Sequence, residues 1–158
     1  MISEKWQHLI DAPFKISARC CKYMKKYPAW DIEKKTGSKP IVGTMASESQ
    51  IRKYSYTFLG CNAYKAEHPM SAPLSVWTTD NVWRYIRENN IDYCDIYDNG
   101  FSQTGCAFCM FGINRDRRPN RFELMKQYDP RLYKYCMEKL GLREVLQYLK
   151  IPITDQIK

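Results

Sequence analysis

The sequence predicts a helix-rich α/β domain. Three observations carry that reading: segments with helical spacing and capping residues, one β-branched apolar run at Pro40–Met45, and a Gly-, Asn- and Asp-rich loop bearing cysteines between Tyr93 and Met110. Cys20 to Lys35 reads as a basic helix broken at Pro28, because an interior proline lacks an amide donor and its ring clashes with the preceding turn. Thr36-Gly37-Ser38 is a turn. Pro40–Met45 reads as a short buried strand leading into a polar loop, Ala46–Ser49. Trp77-Thr78-Thr79-Asp80 opens a helix, with Thr as cap and Val82, Tyr85 and Ile86 on one face. Asn89-Asn90 ends it. Tyr93–Met110 lacks periodicity and reads as irregular loop. Arg121–Tyr128 is a short helix, and Asp129-Pro130 restarts another with Asp as N-cap and Pro at the first position. Leu132, Tyr133, Cys136 and Leu140 then share a face, and Gly141 suits the stop. Leu142–Lys150 is the last helix, with Val145, Leu146 and Leu149 inward. A lone strand makes no sheet. Either the chain holds strands that the pattern hides, or it completes a sheet supplied by something else.

The 158 residues are enough for one domain, or a part of one, with a single core. Hydrophobic residues are 44% and charged residues 27%, which excludes a disordered chain. No apolar run approaches the length of a bilayer span, and no apolar secretory segment follows Met1. A cytoplasmic protein without membrane contact is therefore expected. The net charge of +8 favours anionic partners such as nucleotides or nucleic acid, and equally fits a solvated basic surface. Seven cysteines without a secretory segment point to metal binding or thiol chemistry in preference to a disulfide framework.

Cys106-Ala107-Phe108-Cys109 is a C-x-x-C, a spacing that lets two thiolates converge on one metal centre. A redox dithiol and two buried core cysteines share that spacing. Cys20-Cys21 is rarer. Adjacent Cα atoms lie 3.8 Å apart, too close for an unstrained disulfide. Two neighbouring thiolates fit separate corners of an iron–sulfur cube better than one tetrahedral zinc, so the expected group is [4Fe–4S], with zinc as the alternative. Cys61 is a substitute ligand, Cys94 a weaker one, and Cys136 core.

The spacing of 84 residues between Cys21 and Cys106 resembles the iron–sulfur signature of the sulfonucleotide reductases. Gly43-Thr44-Met45-Ala46-Ser47-Glu48-Ser49-Gln50-Ile51-Arg52 resembles their G-x-R-x-x-(E/Q)-S-x-x-R segment, with Met45 in place of the first Arg. Pro73–Trp83 resembles P-L-x-x-W-(T/S)-x-x-D-V-W. Asp98-Asn99-Gly100, Thr104-Gly105-Cys106, Cys109 and Asn120-Arg121-Phe122 complete the pattern, from about Ile16 to Ile151. On these residues the chain is similar to the phosphoadenosine phosphosulfate reductase family, and to its C-terminal half.

The resemblance implies an adenine nucleotide α-hydrolase-like (PP-loop) fold with an iron–sulfur loop region, here its helix-rich C-terminal part. It implies Cys20, Cys21, Cys106 and Cys109 as metal ligands. It places Gly43, Ser47, Glu48, Ser49 and Arg52 at an adenine nucleotide or sulfonucleotide; hydroxyls and an Arg after a strand suit phosphate or sulfate, and also an ordinary capped loop. Arg115, Arg117, Arg118 and Arg121 form a basic run that suits phosphate, nucleic acid, a thiolate-bound cluster or plain solvation. Two family features are absent from these residues: the S-G-G-x-D-S phosphate loop and the catalytic E-C-G-x-H tail. The expectation is adenylate-linked sulfur transfer or reduction that needs an N-terminal half or a partner chain carrying the phosphate loop. A nucleic-acid sulfur-modification component, for DNA phosphorothioation or tRNA thiolation, and a non-enzymatic metal-stabilised binding module are the alternatives.

Overall fold

The computed structural model describes residues 4–15, 17 and 19–153; the ends of the predicted family match at Ile16 and beyond Ile153 lie outside them in part. The chain divides into two compact units, Ile16–Tyr93 and the pairing of Met1–Lys15 with Cys94–Lys158. No described helix is long and apolar enough to cross a membrane.

In the central unit, Cys20 and Cys21 begin a helix that passes through a π-helical stretch, Lys22–Lys26, into α1, Tyr27–Thr36. The predicted break at Pro28 does not occur. The wider π turn gives the Tyr27 amide the Lys22 carbonyl, five residues back, and seats Pro28 in the first turn of α1, where a missing donor costs nothing. Gly37, at φ 71°, stops α1 in the left-handed region.

The predicted strand Pro40–Met45 forms only an isolated parallel bridge, Ile41 with Ser71; Ser71 also bridges Asn62 in the antiparallel sense. Ile41 is 77% exposed, so this segment is extended but not buried, and only Met45 at its end is. Its backbone bonds lie on one side: the Val42 amide donates to the Ser71 carbonyl at 2.8 Å and the Ser71 amide to the Pro40 carbonyl at 3.0 Å. The predicted loop after it is a 3-10 turn, Ala46–Glu48, followed by a helix the pattern did not show, α2, Gln50–Leu59, capped by Ser49. α3, Thr79–Glu88, forms as expected: Thr78 caps it with a reciprocal Asn81 contact, and Asn89 and Asn90 end it. Val82 and Ile86 are half-buried, whereas Tyr85 is exposed.

The other unit holds the main core: Ile113, Phe122, Met125, Tyr133, Cys136, Met137 and Leu146. α4, Arg121–Tyr128, and α5, Pro130–Lys134, have the predicted bounds and the predicted Asp129 cap, whose Oδ1 accepts from the Leu132 amide at 2.9 Å. A second π stretch, Tyr135–Lys139, then turns the chain by an extra residue. That shift rotates Met137 into the core beside Tyr133 and Cys136 and leaves Leu132 and Leu140 outside, against the predicted face. Gly141, at φ 69°, precedes α6, Leu142–Tyr148, which buries Leu146.

Glu123 is 1% exposed at the start of α4. Its carboxylate accepts from the Asn120 amide at 2.8 Å and from the Arg118 guanidinium, while Asn120 Oδ1 accepts from the Phe122 and Glu123 amides. Asn120 Nδ2 also donates to the Pro152 carbonyl at 2.9 Å, tying α4 to the segment after α6. Glu123→Ala orphans a buried amide and removes the partner of Arg118. It should lower stability by about 2–4 kcal/mol, read from urea unfolding; a loss under about 1 kcal/mol would show that the network is replaceable by water.

Candidate functional site

The cysteine loop is built on the core of its unit. Ala107 and Met110 pack against that core, which holds Cys106 and Cys109 half-buried. The Cys109 amide donates to the Cys106 carbonyl at 2.9 Å, closing a turn with one thiol at each end. Arg121, the first residue of α4, spans the loop. Its Nη1 donates to the carbonyls of Cys109 and Phe111 at 3.2 and 3.1 Å. Its Nε and Nη2 meet the two carboxylate oxygens of Asp116, each at 2.7 Å. The Arg121 hydrogen bonds, helped by charge attraction and opposed by partial burial, hold the Asp116 carboxyl below the usual aspartate range. The same contact raises Arg121.

The predicted basic run therefore divides. Arg121 is a brace of the cysteine loop and Arg118 pairs with Glu123, whereas Arg115 and Arg117 are exposed. Cys136 is buried, as expected, and burial pushes its thiol up. Cys94 is exposed, its sulfur 3.8 Å from an Asp95 oxygen.

In the central unit, Cys20 and Cys21 are exposed at the helix start, and Cys61 is exposed next to the bridge, its carbonyl accepting from the Ala72 amide at 2.6 Å. Among the described residues, no group of three or more His, Cys, Asp or Glu side chains is placed to hold a metal ion. The donor chemistry of the two pairs suits iron or zinc, and the Cys106–Cys109 turn presents two thiols from one loop. The described arrangement does not gather a third.

The anion loop is internally satisfied. Glu48 is its hub: Oε2 accepts from the Met45 amide at 2.9 Å and pairs with the Arg52 guanidinium. Ser49 Oγ accepts from the Arg52 amide at 3.2 Å as the α2 cap, and Ser47 Oγ donates to the Trp77 carbonyl at 3.2 Å. Gly43 has an ordinary backbone; an added Cβ would meet only Leu74 Cδ1, at 3.9 Å. An arriving phosphate or sulfate must draw Arg52 away from Glu48. Two contributors escaped the sequence reading. Asp116 and Glu123 position the basic residues, and the Asn120-x-x-Glu123 spacing was the available signal for one of them.

Residues 2–111 match the phosphoadenosine phosphosulfate reductase domain. The chain belongs to that family. Membership implies an adenine nucleotide α-hydrolase-like fold, and the matched span includes both cysteine pairs and the anion loop. Curated relatives named adenosine 5′-phosphosulfate reductase agree. The protein of Oceanobacillus iheyensis is 29% identical over 106 residues, covering 66% of this chain and 43% of the relative. That of Anoxybacillus flavithermus is 29% identical over 91 residues, 58% of this chain and 37% of the relative. That of Lysinibacillus sphaericus is 30% identical, with 58% and 38% covered. The chain thus spans about two fifths of the length of these relatives. No solved structure matches it significantly.

The depressed Asp116 carboxyl makes the Arg121 brace pH-dependent. A carboxyl lowered by folding adds stability above its unfolded pKa and loses it as pH falls through the lower folded value. Asp116→Asn should therefore be less stable than the wild type at neutral pH, and the gap should close in acid below the ordinary aspartate range. Thermal melts from neutral pH to strong acid check this; a gap that stays constant would assign the brace to hydrogen-bond geometry alone.

Proposed function

We propose that this chain is the cysteine-bearing part of a sulfonucleotide-processing protein that works in adenylate-linked sulfur reduction or transfer in a reducing, cytoplasmic setting. The observation that carries the reading is the family match over residues 2–111, which takes in Cys20, Cys21, Cys106, Cys109 and Gly43–Arg52 together. The names of the relatives support adenosine 5′-phosphosulfate or a similar adenine nucleotide as substrate. In this reading the four cysteines hold a [4Fe–4S] cluster, with Cys61 as substitute ligand. A bound cluster supplies redox and electrostatic tuning beside the sulfonucleotide. The chain's own residues do the rest. Arg121 and Asp116 hold the Cys106–Cys109 turn, and Arg52 leaves Glu48 to meet a phosphate or sulfate oxygen while Ser47 and Ser49 offer hydroxyls. The phosphate loop comes from a second polypeptide, and without it the chain turns over no sulfonucleotide.

Anaerobically purified protein should carry iron and acid-labile sulfide in equal amounts. Cys106→Ser should lose them, and Cys136→Ser, if it folds, should keep them. Stoichiometric zinc without iron would contradict the cluster. With the second polypeptide present, Arg52→Ala should weaken nucleotide binding by about 1.5–3 kcal/mol, the range for a lost charge-assisted hydrogen bond.

A nucleic-acid substrate is the second reading, and one surface favours it. Arg19, Lys22, Lys25 and Lys26 follow one another without an acid, and Tyr23 and Tyr27 between them are exposed at 58% and 39%. Cations interleaved with open aromatic rings suit stacked bases. Affinity for tRNA that falls steeply with salt, and less steeply after Lys22, Lys25 and Lys26 are replaced by Ala, would support it; affinity unchanged by salt would remove it.

A further inference from the structure

The central unit leaves two apolar features without cover. The first is a backbone edge. Pro40 and Val42 direct their bonding groups to Ser71, so the amide and carbonyl of Ile41, and those of Gly43, face the opposite side of the extended segment. Ser71 sits between Ile41 and Asn62, so Ile41 is the outer member of the three bridged segments. Such an edge templates a further strand unless charge, proline or a covering element blunts it. Ile41, 77% exposed, carries no charge to blunt it.

The second feature is on α2. Ile51, Tyr54 and Phe58 fall three and four residues apart, on one stripe of the helix. They are 79%, 65% and 83% exposed. The other side of α2 is tied to the extended segment by the hydrogen bond between the Tyr56 and Thr44 hydroxyls. A stripe of large apolar side chains next to an open strand edge is the pattern of an interaction face.

We infer that the Ile41–Gly43 edge and the Ile51–Tyr54–Phe58 stripe dock a separate, acidic polypeptide that adds a parallel strand beside Ile41 and covers α2. The inference rests on the reading that a second polypeptide completes the nucleotide site, and it names the surface and the partner's chemistry. Three observations choose this occupant. The relatives are more than twice as long as the segment this chain matches, so each holds further polypeptide of comparable size. The chain carries a net charge of +8, so an acidic partner is steered to it and a second copy is repelled. A strand added at the edge satisfies the amides and carbonyls of Ile41 and Gly43, which a loop or an aliphatic ligand does not.

The test uses the full chain and a purified polypeptide made of the part of the Oceanobacillus iheyensis relative that precedes the matched segment. Sedimentation velocity should show a 1:1 complex that weakens as salt is raised. Hydrogen exchange of the Ile41 and Gly43 amides should be fast in the free chain and slowed at least tenfold in the complex. Ile41→Pro removes one edge donor without touching the Ser71 bonds, and the double variant Ile51→Ser, Phe58→Ser removes the stripe. Each should weaken the complex at least tenfold while keeping the circular dichroism of the free chain; if Ile41→Pro does not fold, the double variant and the exchange data decide. Absence of a complex, variants that bind as wild type, or Ile41 and Gly43 amides already protected in a self-associated chain would each overturn the docking surface. Iron-loaded chain that forms no complex would overturn it while leaving the cluster reading intact. A complex that binds no adenosine 5′-phosphosulfate would do the reverse.

Discussion

The central unit depends on the one-sided pairing at Ser71. Its amide and carbonyl hold Pro40 and Val42, and its hydroxyl donates to Asn62 Oδ1 at 2.7 Å on the other side. Those bonds fix where the extended segment ends, and therefore where Met45 is buried and the anion loop begins. Glu48 then closes the loop by taking both the Met45 amide and the Arg52 guanidinium. An isolated bridge is a weak anchor for such a loop, because an unflanked strand pair gains little burial to offset its ordering. Little else in the unit compensates: its buried apolar residues are Met45, Ala63 and Ala72, all but one of them small.

The cysteine loop is supported differently. It lies on a core that includes Phe122, Cys136 and Leu146 at 0% exposure, and a bidentate ion pair braces it at two carbonyls. Arg suits this position because its planar fork can serve a carboxylate and carbonyls at once, which a lysine cannot. One unit thus holds its thiols on a packed scaffold, and the other holds its anion loop on an unfinished sheet.

Much of this was legible in the residues. The Thr78 and Asp129 caps, the bounds of Arg121–Tyr128 and the stop at Gly141 follow from local chemistry, and local chemistry survives any tertiary context. The failures share a different cause. Pro40–Met45 has strand composition, but burial needs neighbours, and composition does not say whether they are present. The two π stretches, near Pro28 and at Tyr135–Lys139, shift the helical phase by a residue, and a fixed period cannot register that. α2 was hidden because Ser49 reads as loop until its hydroxyl is seen to cap the Arg52 amide. For the site, the cysteine and Gly43–Arg52 patterns carried the family, whereas the division of the arginines between bracing and exposure depends on Asp116 and Glu123, partners that spacing alone left unassigned.

The central claim is that this chain holds part of a sulfonucleotide site and that a second polypeptide completes it. Equilibrium binding of adenosine 5′-phosphosulfate, measured by titration calorimetry under anaerobic conditions, tests it most directly. The chain alone should give no measurable heat, and the chain mixed with the second polypeptide should bind one nucleotide per complex. Saturable one-to-one binding by the 158-residue chain alone would contradict the account.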